Sequence, residues 1–449
     1  MSVRVRGFLG AAAIAVSVSP VAGQQPTPLV LTLGEAARLA ARQSAPVVIA
    51  ELRTREAEAR VMQRRADLLP TLHTTLLESG HTINSATFGF DFPTPEGETP
   101  LLDPHGQIIG PVNTLDARAH LTVPAIDFAA RERVASARAS VRASQAAAQN
   151  EAEQAAGLAA QAYLRAARAD AIVAARAQDS TLADSLLIIA SAQLQAGVGV
   201  ALDVTRARSQ VAAVHSQLVS ARGERSRSLL ELLRVIGVPI DASITLSQGL
   251  ESDLTDSVPD EARAIETAMK QRPDIAAAGR SLDAARQEAR AIRAEKLPTL
   301  EAFADDGAIG AGGRHMLNTY TWGVQLSLPI FDGSKRNGRL NEQQAVAAQV
   351  DAQLRELERE VTVEVRSALL DLGVARDQLG AARGRLSLAQ QEYAQAQDRF
   401  RAGVSGNADV VMAALALNGA RNGVIDAETA YQSARVSLAR AQGTATQLP

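Results

Sequence analysis

Between Pro124 and Pro239 the chain carries no proline, and between Pro329 and Pro449 it again carries none, leaving runs of 114 residues (125–238) and 119 residues (330–448) in a chain of 449. Proline breaks a helix interior because it lacks the backbone N–H and clashes with the preceding turn. Two such runs, both dense in alanine, predict two very long helical regions. Only 3% of the residues are aromatic although 46% are hydrophobic. Aromatic side chains supply much of the buried area of compact cores, so thin, closely approaching helices suit this chain better than a large round enzyme.

The amino terminus bears on the compartment. Arg4 and Arg6 precede an apolar stretch over 7–18, and Val21-Ala22-Gly23 offers small residues before Gln24. This is the pattern of a secretory signal peptide, residues 1–23, cleaved after Gly23. The stretch is too short to span about 30 Å of hydrocarbon, and Pro20 interrupts it. Its removal leaves 44 basic against 49 acidic side chains, a net charge of −5, which argues against nucleic acid as a partner. No cysteine is present, so disulfides, thiol nucleophiles and cysteine metal sites are excluded. The N-terminal cysteine of a bacterial lipoprotein is missing too. No later run approaches 18 apolar residues, so insertion into a membrane would have to use a β-barrel.

The chain is written twice. Leu69-Pro70-Thr71-Leu72 recurs as Leu297-Pro298-Thr299-Leu300, an offset of 228. Pro124-Ala125-Ile126-Asp127 recurs as Pro329-Ile330-Phe331-Asp332 at 205, and Ala196-Gly197-Val198 as Ala402-Gly403-Val404 at 206. Self-similarity of this kind marks a duplicated unit. After the signal peptide, the first repeat is expected over 24–257 and the second over 258–449. The fall in offset places a 23-residue excess between Pro70 and Pro124, where Pro93, Pro95, Pro100, Pro104 and Pro111 are expected to form an exposed loop.

Within each repeat the same order is predicted. A helix with proline in its first turn (46–67; 273–295) meets a Leu-Pro break. A strand pair follows, over about 71–123 and about 299–328. In 113–123, Leu115, Ala117, Ala119, Leu121 and Val123 alternate with polar residues, and in 318–328 Tyr320, Trp322, Val324, Leu326 and Leu328 do the same. Alternation of this kind is that of a barrel wall with lipid outside and water inside. The partner strands, about 71–84 and 299–309, are less regular. A long helical hairpin comes next, about 128–236 and about 334–441. Its first arms, 128–195 and 334–401, would each be about 100 Å long. Its return arms step by 3 and 4 through Val204, Ala207, Val211, Val214 and Leu218, and through Val410, Ala413, Leu417, Ala420 and Val424, the seam of a coiled coil. The fold class is therefore mainly α, with duplicated antiparallel hairpins and four strands per chain. Four strands cannot close a bacterial barrel, which needs about 8, so an inserting chain must oligomerise; three copies would give twelve strands.

At these residues the chain resembles the TolC family of outer-membrane efflux proteins across nearly all of its length after the signal peptide. The resemblance rests on Leu31-Thr32-Leu33-Gly34-Glu35-Ala36 with Ala45-Pro46, on Arg272-Pro273-Asp274-Ile275 and Leu297-Pro298-Thr299-Leu300, on Leu328-Pro329-Ile330-Phe331-Asp332-Gly333, and on Arg401-Ala402-Gly403 with Asp409-Val410. It implies a homotrimer with a twelve-stranded barrel in the outer membrane and an α-helical tunnel across the periplasm. It also implies docking onto a periplasmic adaptor, or membrane fusion protein, that links the tunnel to an inner-membrane transporter. Carried over by position, Gly197-Val198-Gly199 and Gly403-Val404-Ser405 match the hairpin tips that meet the adaptor. Asp409 matches an acid that narrows the closed tunnel, with Met412 standing where a second acid can occur and Asp203 as the corresponding acid of the first repeat. Phe400 and Ser405 do not supply the guanidinium and hydroxyl that latch some relatives. From the residues alone, Asp203 and Asp409 also read as N-caps of the return helices, and both readings stand.

Other candidates are ordinary. Gly307-Ala308-Ile309-Gly310-Ala311-Gly312-Gly313 lacks the Lys-Ser/Thr of a phosphate loop and reads as a flexible outer loop. His73, His81, His105, His120, His215 and His315 show no metal-ligand spacing, so no metal or cofactor is assigned. Tyr320 and Trp322 are candidate anchors at the lipid interface. No catalytic set is found. The expected function is a passive exit duct of a tripartite efflux system. The alternatives are the outlet of a type I protein-secretion system and, in a different class, a periplasmic coiled-coil adaptor or spacer.

Overall fold

The computed structural model describes residues 29–88, 106–251, 259–402, 404 and 406–449. The signal peptide, most of the proline-rich insert, Gly403 and Ser405 lie outside the described residues. In chain order the elements are β1 (Leu29–Leu31), α1 (Leu33–Gln43), α2 (Ala45–Ala66), β2 (Thr71–Asn84), β3 (Ile108–Ile126), α3 (Phe128–Gln195) and α4 (Ala201–Ile236). They continue with β4 (Ile244–Leu246), α5 (Glu261–Gln271), α6 (Pro273–Ala294), β5 (Thr299–Ala311), β6 (Arg314–Ser327), α7 (Lys335–Arg401) and α8 (Asn407–Gln442). The mainly helical architecture with four long strands is the one the periodicity predicts.

Local chemistry explains the boundaries. Pro46 and Pro273 stand in the first turns of α2 and α6, where the missing N–H is no loss. The Asp127 carboxylate accepts from the Ala130 N–H at 2.8 Å and caps α3. Both α4 and α8 end on left-handed glycines, Gly237 and Gly443. Two short helices, α1 and α5, were not expected from the proline spacing. A readable signal exists for α1, a Thr32/Glu35 capping box in which the Glu35 N–H donates to Thr32 Oγ1 at 3.1 Å and the Thr32 N–H to Glu35 Oε2 at 2.8 Å.

The four long strands form one antiparallel sheet in the order β2-β3-β5-β6. β3 is longer than the alternation suggested, because it runs through two prolines. Pro111 adjoins the register shift between His81 and Ile83, and Pro124 the shift before Ile126; at such irregularities a missing N–H does not interrupt the ladder. Pro111 therefore belongs to a strand rather than to the exposed insert. The glycine-rich segment also differs from expectation. Gly307 and Gly310 lie inside β5, and only Gly312 and Gly313 turn, at φ +56° and +78°. Two successive positive φ values are what a tight two-residue hairpin loop requires.

The helices stand in four columns in the same order as the strands. α3 packs against α2 and α4, and also against α6 and α8; α7 packs against α6 and α8. α4 ends against the start of α2, since a Cβ on Gly237 would lie 2.8 Å from the Gln43 carbonyl oxygen, and α8 ends against the start of α6, with the Gly443 position 2.8 Å from Arg272 Cα. Column order is thus α2 with α4, then α3, then α6 with α8, then α7. The outer flanks of the protomer are α2/α4 below β2 and α7 below β6.

Two apolar clusters hold the middle of the rod. One gathers Leu31, Val47, Tyr163, Leu164, Leu232, Ile236 and Val436. The other gathers Val361, Val365, Leu369, Leu379, Tyr431 and Leu438. A parallel pair β1-β4 closes the first. There the buried Tyr163 hydroxyl lies 3.1 Å from the Leu31 carbonyl oxygen and 3.0 Å from that of Gln248, and accepts from the Gln248 N–H at 3.1 Å. Burial raises the pKa of this phenol.

Candidate functional site

The end of the rod farthest from the sheet is made by the two turns after α3 and α7. At the first, the N–H groups of Val198 and Gly199 both donate to the Gln193 carbonyl, at 3.1 and 3.0 Å, and that of Gly197 to Leu194 at 3.1 Å. Gly197 takes φ +77°, which a residue with a Cβ adopts only at a cost. At the second turn the Val404 N–H donates to the Arg399 carbonyl at 3.0 Å, the counterpart of the Val198 bond 206 residues earlier. Val198 and Val404 are 80% and 71% exposed.

Just inside the tips stand the acids. Neither Asp203 nor Asp409 is an N-cap, in contrast to that reading of the sequence. The helices begin two residues earlier, with Val200 and Gly406 in the cap positions and no side-chain capping bond. Both acids fall in the first turn, where a carboxylate faces the positive end of the helix dipole. Asp203 lies 3.9 Å from Arg206. Asp409 is exposed and makes no ion pair among the described residues. Met412 is 62% exposed, whereas Phe400 is buried at 4% against Leu186 and Val410. Near the tips, α3, α7 and α8 are therefore joined by an apolar contact at Phe400.

A second tie between α3 and α8 escaped the sequence reading. Asp179 on α3 is 2% exposed. Arg176 donates to its Oδ2 at 3.2 Å and Arg421 of α8 to its Oδ1 at 3.3 Å. Asn418 donates to Oδ1 at 2.5 Å when its amide nitrogen faces the carboxylate. Burial pushes this carboxyl above the usual carboxylate range, and the two guanidinium groups pull the other way. Only the i,i+3 spacing of Arg176 and Asp179 was visible beforehand. The partner 242 residues away was not.

At the opposite end, the sheet has one apolar and one polar face. Leu72 and Leu76 of β2, Leu121 and Val123 of β3, Ala302 and Ala304 of β5, and Trp322 and Val324 of β6 share the first by register. Tyr320 and Trp322 are 73% and 75% exposed on it. Tyr320 pairs directly with Asp306, at the level where this face becomes charged. On the polar face the register brings together two histidines that sequence spacing left unrelated. His73 and His120 stack with centroids 4.8 Å apart, and His120 Nδ1 lies 2.7 Å from Asp305 Oδ1. Among the described residues no group of three or more His, Cys, Asp or Glu is placed to hold a metal ion, and no helix is long and apolar enough to cross a membrane.

The family model described as "Outer membrane efflux protein" matches residues 37–238 and 264–444. Protein CyaE of Bordetella pertussis is 26% identical over 306 residues, 65% of this chain and 64% of its own length. The alkaline protease secretion protein AprF of Pseudomonas aeruginosa is 27% identical over 171 residues, 37% of this chain and 35% of its own. The toluene efflux pump outer membrane protein TtgC of Pseudomonas putida is 24% identical over 256 residues, 56% of this chain and 52% of its own. The matches thus span from 35% to 64% of the lengths of these relatives. Among solved structures, the CmeC outer membrane channel of Campylobacter jejuni superposes with a TM-score of 0.75 at 17% identity, over 92% of this chain and 86% of that one. The MtrE outer membrane channel of Neisseria gonorrhoeae, in its open state, gives 0.74 at 16%, over 92% and 89%. At such identities the likeness carries the fold.

Proposed function

The chain belongs to the outer membrane efflux protein family, and on that premise we propose that it is the outer-membrane exit duct of a tripartite export system, passive and trimeric. One observation carries this reading: the sheet ends in two unpaired edges, β2 and β6, above two unlike flanks, α2/α4 and α7. An unpaired edge is a template for another strand. Because the two edges differ, a second copy joins edge to opposite edge, a heterologous contact that closes into a ring. Three copies give a twelve-stranded barrel above twelve helical columns. The apolar sheet face then meets outer-membrane lipid, with Tyr320 and Trp322 as interface anchors, and the rod reaches into the periplasm.

In this reading the chain is two copies of one unit, 24–257 and 258–449, behind a cleaved leader of 23 residues. The tips Gly197-Val198-Gly199 and Gly403-Val404-Ser405 dock a periplasmic adaptor that connects to an inner-membrane transporter. Asp409, with Met412 one turn on and Asp203 at the matching place on α4, narrows the tunnel mouth; three Asp409 carboxylates at one level repel one another and attract cations. The apolar contact at Phe400 and the Asp179–Arg421 tie hold the hairpins together where the latching residues of some relatives are missing. The match to AprF, named for the secretion of a protease, favours a second reading in which the same duct serves a secretion system.

Reconstitution in a planar bilayer tests the duct. A ring of three chains that conducts ions is expected; a water-soluble monomer without conductance would sink the reading. Cysteines at Val198 and Val404 test docking, since cross-linking in cells should trap a periplasmic adaptor, and failure to trap one removes the docking role of the tips.

A further inference from the structure

Where the helices meet the sheet, the chain is basic. In the two turns of helix next to the sheet in each column, together with the link to the strand (60–70, 127–134, 288–298 and 328–341), eleven Lys or Arg stand against six Asp or Glu, a net of +5. After the leader the whole chain is −5, so everything else sums to −10. Four of the six acids are already paired: Asp67 with Arg64, Asp127 with Arg133, Asp332 with Arg336, and Glu295 with Arg133 and Arg339. Arg65, Arg131, Arg290, Arg293 and Lys335 are exposed and make no ion pair among the described residues, against two unpaired acids, Glu132 and Glu288. The same level is also apolar on its surface. Leu69, Leu297 and Leu328 are about half exposed, and Ile330 and Phe331 are 91% and 85% exposed. The Arg131 guanidinium lies 6.0 Å from the centroid of the Phe128 ring. An apolar rim with cations beside it suits a surface that lies in a headgroup layer.

On α3 the outward part of this collar can be assigned. Arg131, Arg138 and Arg142 fall, in steps of three and four residues, on the stripe that continues to Ala156, Ala160 and Tyr163. That stripe carries α1 and β1, through Ala156 against Ala37 and the Tyr163 hydroxyl on the Leu31 carbonyl. In a closed ring α1 and β1 would fill the bore if they faced inward, so the stripe is the outer face. No acid occurs on α3 between Glu132 and Glu151.

We propose that the collar binds anionic phospholipid in the leaflet on the rod side of the membrane, with headgroup phosphates on the guanidinium groups and acyl chains against the apolar rim. The inference rests on the reading of the sheet as the membrane-spanning part of a closed ring. Lys and Arg beside an anionic bilayer are attracted to it within a Debye length, about 8 Å at physiological salt. A guanidinium also holds a phosphate by two parallel hydrogen bonds. The collar thereby fixes how far the sheet sinks into the bilayer.

The test offers the full-length ring, in detergent, equal amounts of phosphatidylglycerol and phosphatidylcholine with the same acyl chains, and counts the retained lipids by native mass spectrometry. Wild type should retain phosphatidylglycerol over phosphatidylcholine by about five-fold or more. Arg131→Gln with Arg138→Gln should cut that ratio by about five-fold. If this variant does not assemble, Arg290→Gln with Arg293→Gln removes the same charge from α6 and should do likewise. Arg208→Gln with Arg222→Gln, an equal loss of charge from exposed positions of α4 away from the sheet, should leave the ratio unchanged. Excess inorganic phosphate should leave the bound lipid in place; its release would make the collar a phosphate site and overturn the proposal. Equal retention of the two lipids by wild type also overturns it, as does a ratio that the collar variants leave unchanged or the α4 variant lowers as much. Flotation with phosphatidylcholine vesicles checks insertion separately. A chain that stays in solution overturns the duct itself, so the two failures are distinguishable.

Discussion

Leu164 and Leu370 stand 206 residues apart, at matching places on α3 and α7, yet the first is 2% exposed and the second 71%. One turn earlier the comparison agrees: Ala160 is 0% exposed, whereas its counterpart Arg366 is an exposed partner of Glu261 at 2.8 Å. The two helices have almost the same length and start from the same kind of strand. They differ in what stands beside them. α3 is an inner column with neighbours on both sides, while α7 is a flank with one side bare. Val363, Leu370, Val374 and Leu388 line that bare side, all more than half exposed. In a closed ring the bare side of α7 faces α2 and α4 of the next copy, and the difference between the two helices disappears. In the proposed ring the exposed apolar residues on α7 become interface, whereas alanine on α3 is core within a single chain.

Substitutions can break or sharpen this contrast. The largest effect is expected for Ala160→Arg, which buries an unpaired charge where α7 tolerates one; a loss of about 3–5 kcal/mol or more should leave no helical, protease-resistant protein, while Arg366→Ala should melt like wild type by circular dichroism. Next, Leu164→Ala should cost about 3 kcal/mol through the cavity it leaves, read as a lower melting temperature of the detergent-solubilised ring. Smaller is Arg421→Ala, which removes one of the donors to Asp179; with Arg176 still in place the cost is about 2 kcal/mol.

The same site predicts a pH dependence. The folded pKa of Asp179 is raised, so its protonated form is favoured on folding. That contribution is fully present below the unfolded carboxylate value of about 4 and is lost as pH rises through the raised folded value. Asp179→Asn should remove this part of the pH profile of the melting temperature, and an unchanged profile would show that the carboxyl does not titrate with folding. The smallest effect on the chain by itself belongs to Leu370→Ala, within about 0.5 kcal/mol. Its effect should appear in assembly, as a lower proportion of three-chain species on a sizing column. A variant that assembles like wild type would mean that α7 is bare for another reason.

Much of the fold was legible before any coordinates. Proline punctuation predicts the long first arm over 128–195, and α3 is Phe128–Gln195; the less regular first strand is expected over about 71–84, and β2 is Thr71–Asn84. Proline punctuation and local period specify these directly, because helix and strand are local structures. The return helices start two residues before the aspartates that mark them in the sequence, since an aspartate in a first turn and an aspartate at a cap differ by less than a turn. The glycine-rich segment is strand where a loop is expected, because glycine fits both a turn and a close approach of strands, and composition does not separate the two.

The candidate site was legible only where it consists of chain ends and turns. The turn glycine Gly197 and the sheet aromatics Tyr320 and Trp322 stand out by position in the sequence. The tie between Asp179 and Arg421, and the stack of His73 on His120 beside Asp305, depend on register between elements as far as 242 residues apart.

The sequence by itself determined the order and type of the long helices and strands, most of their ends to within a few residues, and that one face of the sheet is apolar. Tertiary structure alone decided which apolar face is covered within the chain and which is left for a neighbour, and which charges meet across columns and strands. The physical reason is that periodicity fixes the direction of a side chain relative to its own element, whereas burial and pairing belong to whatever element stands opposite.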